Sequence, residues 1–431
     1  MFKSGESHMK MKHRKLFSIV LAAGIVIFPG IPVFISLFGK ERNTCEVQSV
    51  VTEETVTEVP AAAEHVAEEP SEAEVIALPE LKAQRVNAKR IVIQWTYDRD
   101  FLVSSYTVQK YDNRIANTDP TWVTVGEVST GTYGKGQTYE FADELETAEP
   151  QQYRYRVVPN FWDEQAYVAA DEPGILCSNV KICIDPGHFA GKNEVTGSDS
   201  YGYAEGDFTL EVAKELKNLL EKKYGIAVCM TRDSGSISLG GYRDASLDSG
   251  HISLRGAYAA EQECDLYLAI HTNANEDNAN GADTFGQSIA IDKPILIVND
   301  LVVSSDTLLV VCNAVGQNLA EVSYQLGISS HKDFTAVAAD RVMEWTTAYN
   351  DSTEKQGTVV CRHGSHGQYY GTLRGAQEAG IPGVIIEHGY HTVPQMRDAA
   401  MNGELKEKWA EADAEGIVSG LGFQNKDYFI P

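Results

Sequence analysis

The chain has 431 residues, 43% hydrophobic and 23% charged, which is enough for two or three domains with substantial cores. Its 61 acidic and 36 basic residues give a formal net charge of −25, which argues against nucleic acid as a partner. The seven cysteines are odd in number and do not indicate a disulfide framework in a chain of this size.

The N-terminal segment joins a basic tail, residues 1–15, to a long uncharged run, residues 16–39. The uncharged run is long enough to cross a bilayer as a helix. The positive-inside rule places the basic tail in the cytoplasm and the rest of the chain outside. A cleaved signal peptide, which would leave the protein secreted, is the alternative, but no clear A-x-A cleavage site follows the run. We therefore predict a single-pass membrane anchor.

Residues 40–78 are predicted to be an acidic, disordered linker. The stretch 51–75 carries many glutamates, no lysine or arginine, and almost no bulky core residues. Such a stretch cannot bury enough apolar surface to offset its ordering entropy, so we expect an extended spacer.

Residues 79–177 have the pattern of an all-β domain. Alternating apolar and polar residues, separated by turn residues, predict the strands of a β-sandwich in "RIVIQWTY", "SSYTVQKY", "WVTVGEVS", "YEFADE" and "QQYRYRVVPNF". The segment resembles a fibronectin type III domain, with Trp95 at that family's core-tryptophan position and Tyr153 at its tyrosine-corner position. A generic sandwich is the alternative. Either would be a spacer, or a docking module for a protein or wall partner.

From residue 180 onward the pattern changes to strands alternating with helices. Helices are predicted over 207–225, 253–263 and 306–327, and strands over 180–184, 226–232, 265–270 and 383–387. Alternating βα units predict an α/β fold over residues 180–425, with a twisted, mostly parallel sheet and helices on both faces.

Polar side chains follow three of these strands. His188 comes after "KICIDPG", His271 follows "DLYLAI", and Glu387 closes "GVIIE". Ligands of open α/β sheets bind beyond the carboxyl ends of the strands, so these side chains are expected to converge. Glu205 begins the helix after His188 and can face the same edge, with Glu194 as the competing carboxylate in a loop. Two imidazoles, one carboxylate and an open position form a catalytic zinc arrangement.

The motifs around these residues resemble the catalytic domain of zinc-dependent N-acetylmuramoyl-L-alanine amidases, which are peptidoglycan hydrolases of bacterial cell surfaces. The matching pieces, in the family's order, are "ICIDPGHFAG", "EGDFTLEVAKEL", "MTRD", "LRGAYAA", "AIHTNAN" and "GVIIEHGYHT". The resemblance implies zinc ligation by His188, Glu205 and His271 and a catalytic role for Glu387. Asn273 lies two residues after the second histidine ligand.

The chain departs from the family pattern in two places. His388 and Tyr390 stand where the family usually has an apolar or small residue and a phenylalanine. The connection over residues 285–367 is longer than usual and is expected to shape the substrate groove or a lid. Arg374 or a neighbouring histidine is a candidate for stabilising the oxyanion, and the sequence does not choose between them.

Several other residues leave alternatives open. Further candidate ligands are His331, His363, His366, His388 and His391, although the glycine-rich loop of His363 and His366 is more typical of a substrate-facing loop without metal. Cysteines in apolar runs, predicted to be small core residues, are Cys183, Cys229, Cys264 and Cys312. A bridge between Cys177 and Cys361 stays possible. The rival functions are a non-catalytic wall-binding module and a zinc peptidase acting on stem peptides.

Overall fold

A computed structural model describes residues 74–99, 102–117, 121–131, 136–162, 167–170, 173–274, 292–329, 332–345 and 357–427. The predicted basic tail, the membrane anchor and nearly all of the acidic linker lie outside these residues, as does His331. Within the described ranges, no helix has the length and apolarity needed to cross a membrane. The described residues all belong to one compact unit.

The N-terminal part of this unit is a β-sandwich of two antiparallel sheets. Its strands are β1 (Glu74–Ile76), β2 (Glu80–Asn87), β3 (Arg90–Thr96), β4 (Val103–Asp112), β5 (Val123–Ser129), β6 (Tyr139–Glu144), β7 (Gln152–Phe161), β8 (Tyr167–Ala169) and β9 (Ile175–Ser178). One sheet has the order β2-β3-β6 and the other β5-β4-β7-β9, and β1 pairs with β8 beside them. The predicted all-β architecture is confirmed.

Alternation along these strands buries one face of each sheet, as expected for a sandwich. Trp95 is 2% exposed and stacks on Tyr139 at 5.9 Å between ring centroids. The hydroxyl of Tyr153 donates to the Oε1 atom of Gln151 at 3.0 Å. The tyrosine-corner position therefore bonds to a side chain here, whereas the corner itself is defined by a bond to the backbone.

The C-terminal part is a three-layer α/β fold around a seven-stranded sheet. Its main strands are β10 (Lys181–Pro186), β11 (Ala227–Met230), β14 (Leu266–Asn273), β15 (Ile295–Val298), β16 (Met343–Glu344), β17 (Thr358–Cys361) and β20 (Gly383–Tyr390). Two hairpins flank the sheet, β12 (Ser238–Leu239) with β13 (Tyr242–Arg243) and β18 (His363–Gly364) with β19 (Gly367–Gln368). The sheet order is β11-β10-β14-β20-β15-β17-β16.

Five of the six strand pairings in this sheet are parallel, and only β15 runs antiparallel to β20. The prediction of a mostly parallel sheet is confirmed. The reversal at β15 was not predicted, because a four-residue apolar run carries no information on strand direction. As a consequence, the carboxyl ends of β15, β16 and β17 lie where β10, β14 and β20 begin, on the side of the sheet opposite to the carboxyl ends of β10, β14 and β20.

Helices cover both faces of the sheet. They are α1 (Glu205–Tyr224), α2 (Ala245–Gly250), α3 (Ser253–Glu261), α4 (Asp300–Val303), α5 (Asp306–Gln325), α6 (Gly371–Glu378), α7 (Pro394–Met401) and α8 (Glu404–Leu421). One layer contains α1, α5 and α8, and α3 packs on α6 in the other. Helix α1 ends at Gly225, whose φ of 65° suits glycine and lets its N–H bond to the Leu220 carbonyl.

The long connection 285–367 contributes to the core of the fold. Its described residues supply β15, β16, β17 and helix α5, with Val298, Cys312, Leu319 and Val360 buried in the main core. This segment thus extends the sheet by three strands. The predicted role in a groove or lid stays a prediction.

The sandwich and the α/β part have separate hydrophobic cores but are joined by polar contacts. Arg85 pairs with Asp265 at 3.0 Å and donates from Nε to the Asn179 carbonyl at 2.7 Å. The side-chain amide of Gln152, which is fully buried, donates to the carbonyls of Tyr224 and Gln424. These bonds orient the sandwich against the α/β part.

The six described cysteines are free thiols. Cys177 and Cys361 are both buried and unbridged, so the disulfide that the sequence left possible is absent. Cys183, Cys264 and Cys312 are buried as predicted, and Cys229 is half-buried.

A candidate metal centre at the carboxyl edge of the sheet

The turn after β10 brings His188 to the sheet edge in a conformation that few residues adopt. Pro186 ends the strand, and His188 has a φ of 60°, in the left-handed region. Gly187 between them has no room for a side chain, because a Cβ atom there would lie 2.5 Å from Cε1 of His271. The Asp-Pro-Gly-His sequence therefore allows the two histidines to approach closely.

His188, Glu205 and His271 form one cluster, called the candidate metal centre below. One ligand atom from each lies within 4.8 Å of the other two. The Oε1 atom of Glu205 lies 3.1 Å from Nδ1 of His271, and its Oε2 atom lies 3.3 Å from Nε2 of His188. Glu194, the alternative carboxylate, is exposed and pairs through its backbone with Ala204. The structure thus brings together the three residues that the sequence predicts to be metal ligands.

The charged groups of this cluster shift each other's pKa values. Burial would raise the pKa of Glu205, but its hydrogen bonds to His188 and His271 hold that pKa well below its usual value. Burial would lower the pKa of His188, yet bonds to Asp248 and Glu205 outweigh it and raise this pKa to about 9. Glu205 is therefore held as a carboxylate, which together with Asp248 stabilises positive charge at His188.

Two polar residues that the sequence did not indicate contact this cluster. The side-chain amide of Asn193 donates to Oε2 of Glu205 at 2.7 Å. Asp248 lies 3.4 Å from Nδ1 of His188, on the side of the ring away from Glu205. A carboxylate behind a histidine ligand fixes its tautomer and its orientation. Both residues lie in segments without helix or strand periodicity, so only the fold shows their proximity.

Arg255 holds Asp248 and the backbone of His188 in place through its guanidinium group. It is 1% exposed, and its guanidinium pairs with Asp185 at 2.8 Å and with Asp248 at 2.9 Å. It also donates to the carbonyl of His188 at 2.6 Å. The "LRGAYAA" motif thus supplies the cation that balances the buried aspartate of the "IDPGH" motif.

Replacement of Arg255 by alanine is expected to lower the free energy of unfolding by about 3 to 5 kcal/mol, because it leaves Asp185 as an uncompensated buried charge. Urea unfolding followed by circular dichroism measures the loss. The control is Arg243→Ala, since the Arg243 side chain is 71% exposed and its pair with Asp244 contributes about 0 to 1 kcal/mol. Equal, small effects of the two substitutions would contradict this role of Arg255.

Glu387 lies beside the candidate metal centre without belonging to it. It is the register partner of His271 on adjacent parallel strands, so both side chains leave the sheet on the same side. Its Oε2 atom is buried and has no hydrogen-bond partner among the residues that the structure describes. Burial and the charge of Glu205 raise the pKa of Glu387 to about 8. A buried, unpaired carboxyl group at a sheet edge is suited to proton transfer.

The remaining predicted residues have different surroundings. Asn273 has a buried side-chain nitrogen with no partner among the described residues, so it can donate to a ligand. His388 is fully buried. Its ring lies 2.8 Å from Oδ2 of Asp413 and 3.3 Å from the His271 carbonyl, so it helps to position strand β14.

Arg374 donates to the Gln368 carbonyl at 3.4 Å. The described contacts do not join Arg374 to the candidate metal centre.

Comparison with known proteins identifies the family. A model of the N-acetylmuramoyl-L-alanine amidase family, Amidase_3, matches residues 182–419, more than half of the chain. The chain therefore belongs to the N-acetylmuramoyl-L-alanine amidase family.

Individual relatives match only in part. The probable cell wall amidase LytH of Staphylococcus aureus is 34% identical over 105 residues, which is 24% of this chain and 30% of LytH. This chain thus spans less than a third of the curated relatives it matches. The solved amidase AmiC2 of Nostoc punctiforme is 20% identical with a TM-score of 0.35, covering 56% of this chain and 96% of AmiC2. The catalytic domain of CwlV from Bacillus (Paenibacillus) polymyxa var. colistinus is 15% identical with a TM-score of 0.36, covering 56% and 97% respectively.

Proposed function

We propose that this protein is a zinc-dependent N-acetylmuramoyl-L-alanine amidase. It would hydrolyse the amide bond between the lactyl group of muramic acid and the L-alanine of the peptidoglycan stem peptide. The observation that carries the proposal is the candidate metal centre with the unpaired carboxyl group of Glu387 beside it. Family membership supports the substrate class.

The donor set suits zinc. His188 and His271 offer imidazole nitrogens and Glu205 offers a carboxylate oxygen, which are zinc's usual ligands in catalytic sites with one open position. Zinc, when bound, supplies Lewis acidity and lowers the pKa of water. Asp248 and Asn193 hold the ligands in place, the first behind His188 and the second against Glu205.

Glu387 is the proposed general base. In its deprotonated form, Glu387 accepts the proton of the attacking water at its buried Oε2 atom, which has no partner among the described residues, and passes the proton to the amine of L-alanine as the amide bond breaks. The Nδ2 atom of Asn273, which has no partner among the described residues, is proposed to donate to a substrate carbonyl. In the described contacts Arg374 bonds elsewhere, so Asn273 is better supported as a substrate-binding group.

The test of this proposal is hydrolysis of purified peptidoglycan by the full chain, with and without a zinc chelator. Release of soluble fragments should stop in chelator and return on addition of zinc, because the ligands alone do not activate water at neutral pH. Undiminished hydrolysis after complete removal of zinc would refute the zinc-dependent mechanism.

The site of action is proposed to be the bacterial cell surface, where the substrate lies. The uncharged run 16–39 with its basic flank supports a membrane anchor, and the acidic linker would give the enzyme reach into the wall. The sandwich is proposed to be a fibronectin type III-like module that docks on a wall or protein partner, as its three-plus-four antiparallel strands suggest.

Anchoring predicts that the protein in cell membranes resists extraction by high salt and is released by detergent. Its N-terminus should include the uncharged run, as mass spectrometry of the purified protein would show. Release by salt alone, or an N-terminus near residue 40, would indicate a cleaved segment instead.

A further inference from the structure

A second group of metal-binding side chains lies in the long connection that extends the sheet. Glu344 ends β16, Cys361 ends β17, and His363 begins the hairpin β18–β19. One ligand atom from each lies within 4.8 Å of the other two, the same closeness as in the candidate metal centre. A thiol, an imidazole and a carboxylate at this spacing form a mixed donor set.

This second group is remote from Glu387. Strand β15 runs antiparallel to β20, with Ile295 opposite Glu387 and Val298 opposite Val384. Strands β16 and β17 run parallel to β15. The carboxyl ends of β16 and β17 therefore lie level with the start of β20, whereas the candidate metal centre lies beyond the carboxyl ends of β10 and β14. The second group shares no residue with the candidate metal centre.

Glu344 connects the other two ligands. Its Oε2 atom lies 2.7 Å from Nδ1 of His363 and 3.4 Å from Sγ of Cys361. Its Oε1 atom accepts the backbone N–H of His363. One carboxylate oxygen is thus held by the backbone, and the other faces the imidazole and the thiol.

Asp300 orients the histidine from its other side. Its Oδ1 atom lies 2.9 Å from Nε2 of His363, and its Oδ2 atom accepts the side-chain amide of Gln377 at 3.0 Å. A carboxylate that accepts one ring N–H leaves the other ring nitrogen available as a ligand. With Nε2 bonded to Asp300, Nδ1 is the nitrogen that faces Glu344 and Cys361.

Gln368 gives an independent sign that a ligand belongs here. It is 1% exposed, and its amide nitrogen lies 3.4 Å from Nε2 of His363 and from Oδ1 of Asp300. Its Oε1 atom is buried without a hydrogen-bond partner in the described part of the chain. Buried acceptors are rarely left unpaired, and water on a bound ion would satisfy this one.

We propose that Glu344, Cys361 and His363 bind a second divalent ion of the zinc type, with Asp300 as the residue that orients His363. The ion fastens the two-residue edge strand β16 to β17 and to the hairpin. The proposal goes beyond the amidase function and does not depend on it, because the two sites share no ligand.

The test uses the full chain loaded with cobalt(II), which replaces zinc and reports its ligands by absorption. Only a thiolate ligand gives a sulfur-to-cobalt charge-transfer band, and the candidate metal centre offers nitrogen and oxygen donors alone. Bound cobalt should therefore reach about two ions per chain, one for each site, and show this band. The His188→Ala variant should lose one ion and keep the band.

Single substitutions identify the residues that give rise to the sulfur-to-cobalt charge-transfer band. Cys361→Ser and His363→Ala should abolish it, whereas His366→Ala, in the same hairpin, and Cys229→Ser, a thiol outside the group, should leave it unchanged. Absence of the band from the wild-type chain would overturn the proposal without any variant, and would show Asp300, His363 and Glu344 to be an ion-paired triad. A band that survives Cys361→Ser would overturn it as well, by assigning the cobalt to another thiol.

Discussion

Glu387→Gln is expected to reduce peptidoglycan hydrolysis by roughly 10²-fold to 10⁴-fold, the range for a positioned acid–base group. Glutamine keeps the shape of the side chain but cannot accept the proton of water. The variant should keep its zinc and its stability, because Glu387 is not one of the three proposed ligands and its Oε2 atom makes no hydrogen bond within the described part of the chain. Rates of fragment release and metal content measure the two effects.

The control for this variant is Glu378→Gln, at the exposed end of helix α6. It makes the same chemical change away from the site and should leave the rate unchanged. Loss of zinc together with activity in Glu387→Gln would instead make Glu387 a ligand and reopen the assignment of Glu205.

His271→Ala is expected to lose about one zinc ion per chain relative to the wild type and to abolish hydrolysis, because a catalytic zinc site needs its three protein ligands. Only the zinc ion of the candidate metal centre should be lost, and any ion bound elsewhere should stay. The fold should survive, since His271 stands at the end of β14 with its ring at the sheet edge, half-buried.

Zinc content by mass spectrometry and rates of peptidoglycan hydrolysis measure the effect, with His366→Ala as the matched control. His366 is exposed and outside the candidate metal centre. Wild-type zinc content and activity in His271→Ala would exclude the proposed ligand set.

Much of the fold could be predicted from the sequence because its signals are local. The helix expected over 306–327 is found at Asp306–Gln325, and the strand expected over 383–387 is found at Gly383–Tyr390. These segments have strong apolar periodicity and clear stops. The direction of β15 and the role of the long connection as sheet strands depend on long-range pairing, which a single sequence does not encode locally.

The candidate metal centre could be anticipated for a geometric reason. Parallel strands deliver the residues after their carboxyl ends to one edge, so His188 and His271 had to approach each other once β10 and β14 paired. The sequence does not indicate the supporting residues, because Asn193 lies in a loop and Asp248 in the six-residue helix α2, which is too short to show a periodic pattern.

The sequence does not indicate the second group of ligands either, because long-range contacts bring its residues together. His363 lies in a glycine-rich loop that the sequence favoured as free of metal, and Glu344 reaches it only through the pairing of β16 with β17. The sequence indicates Cys361 only as a possible disulfide partner of Cys177.

The most direct test of the amidase proposal is chemical analysis of the products that the full chain releases from purified peptidoglycan. Labelling of new amino groups, followed by mass spectrometry, identifies the residue that carries each one. The amidase mechanism predicts new amino termini on L-alanine, matched by free lactyl carboxylates on muramic acid, and release of both roughly 10²-fold to 10⁴-fold slower with Glu387→Gln. New termini on another residue would make the protein a zinc peptidase, and tight binding without any new terminus would make it a wall-binding module; either result would contradict the proposed function.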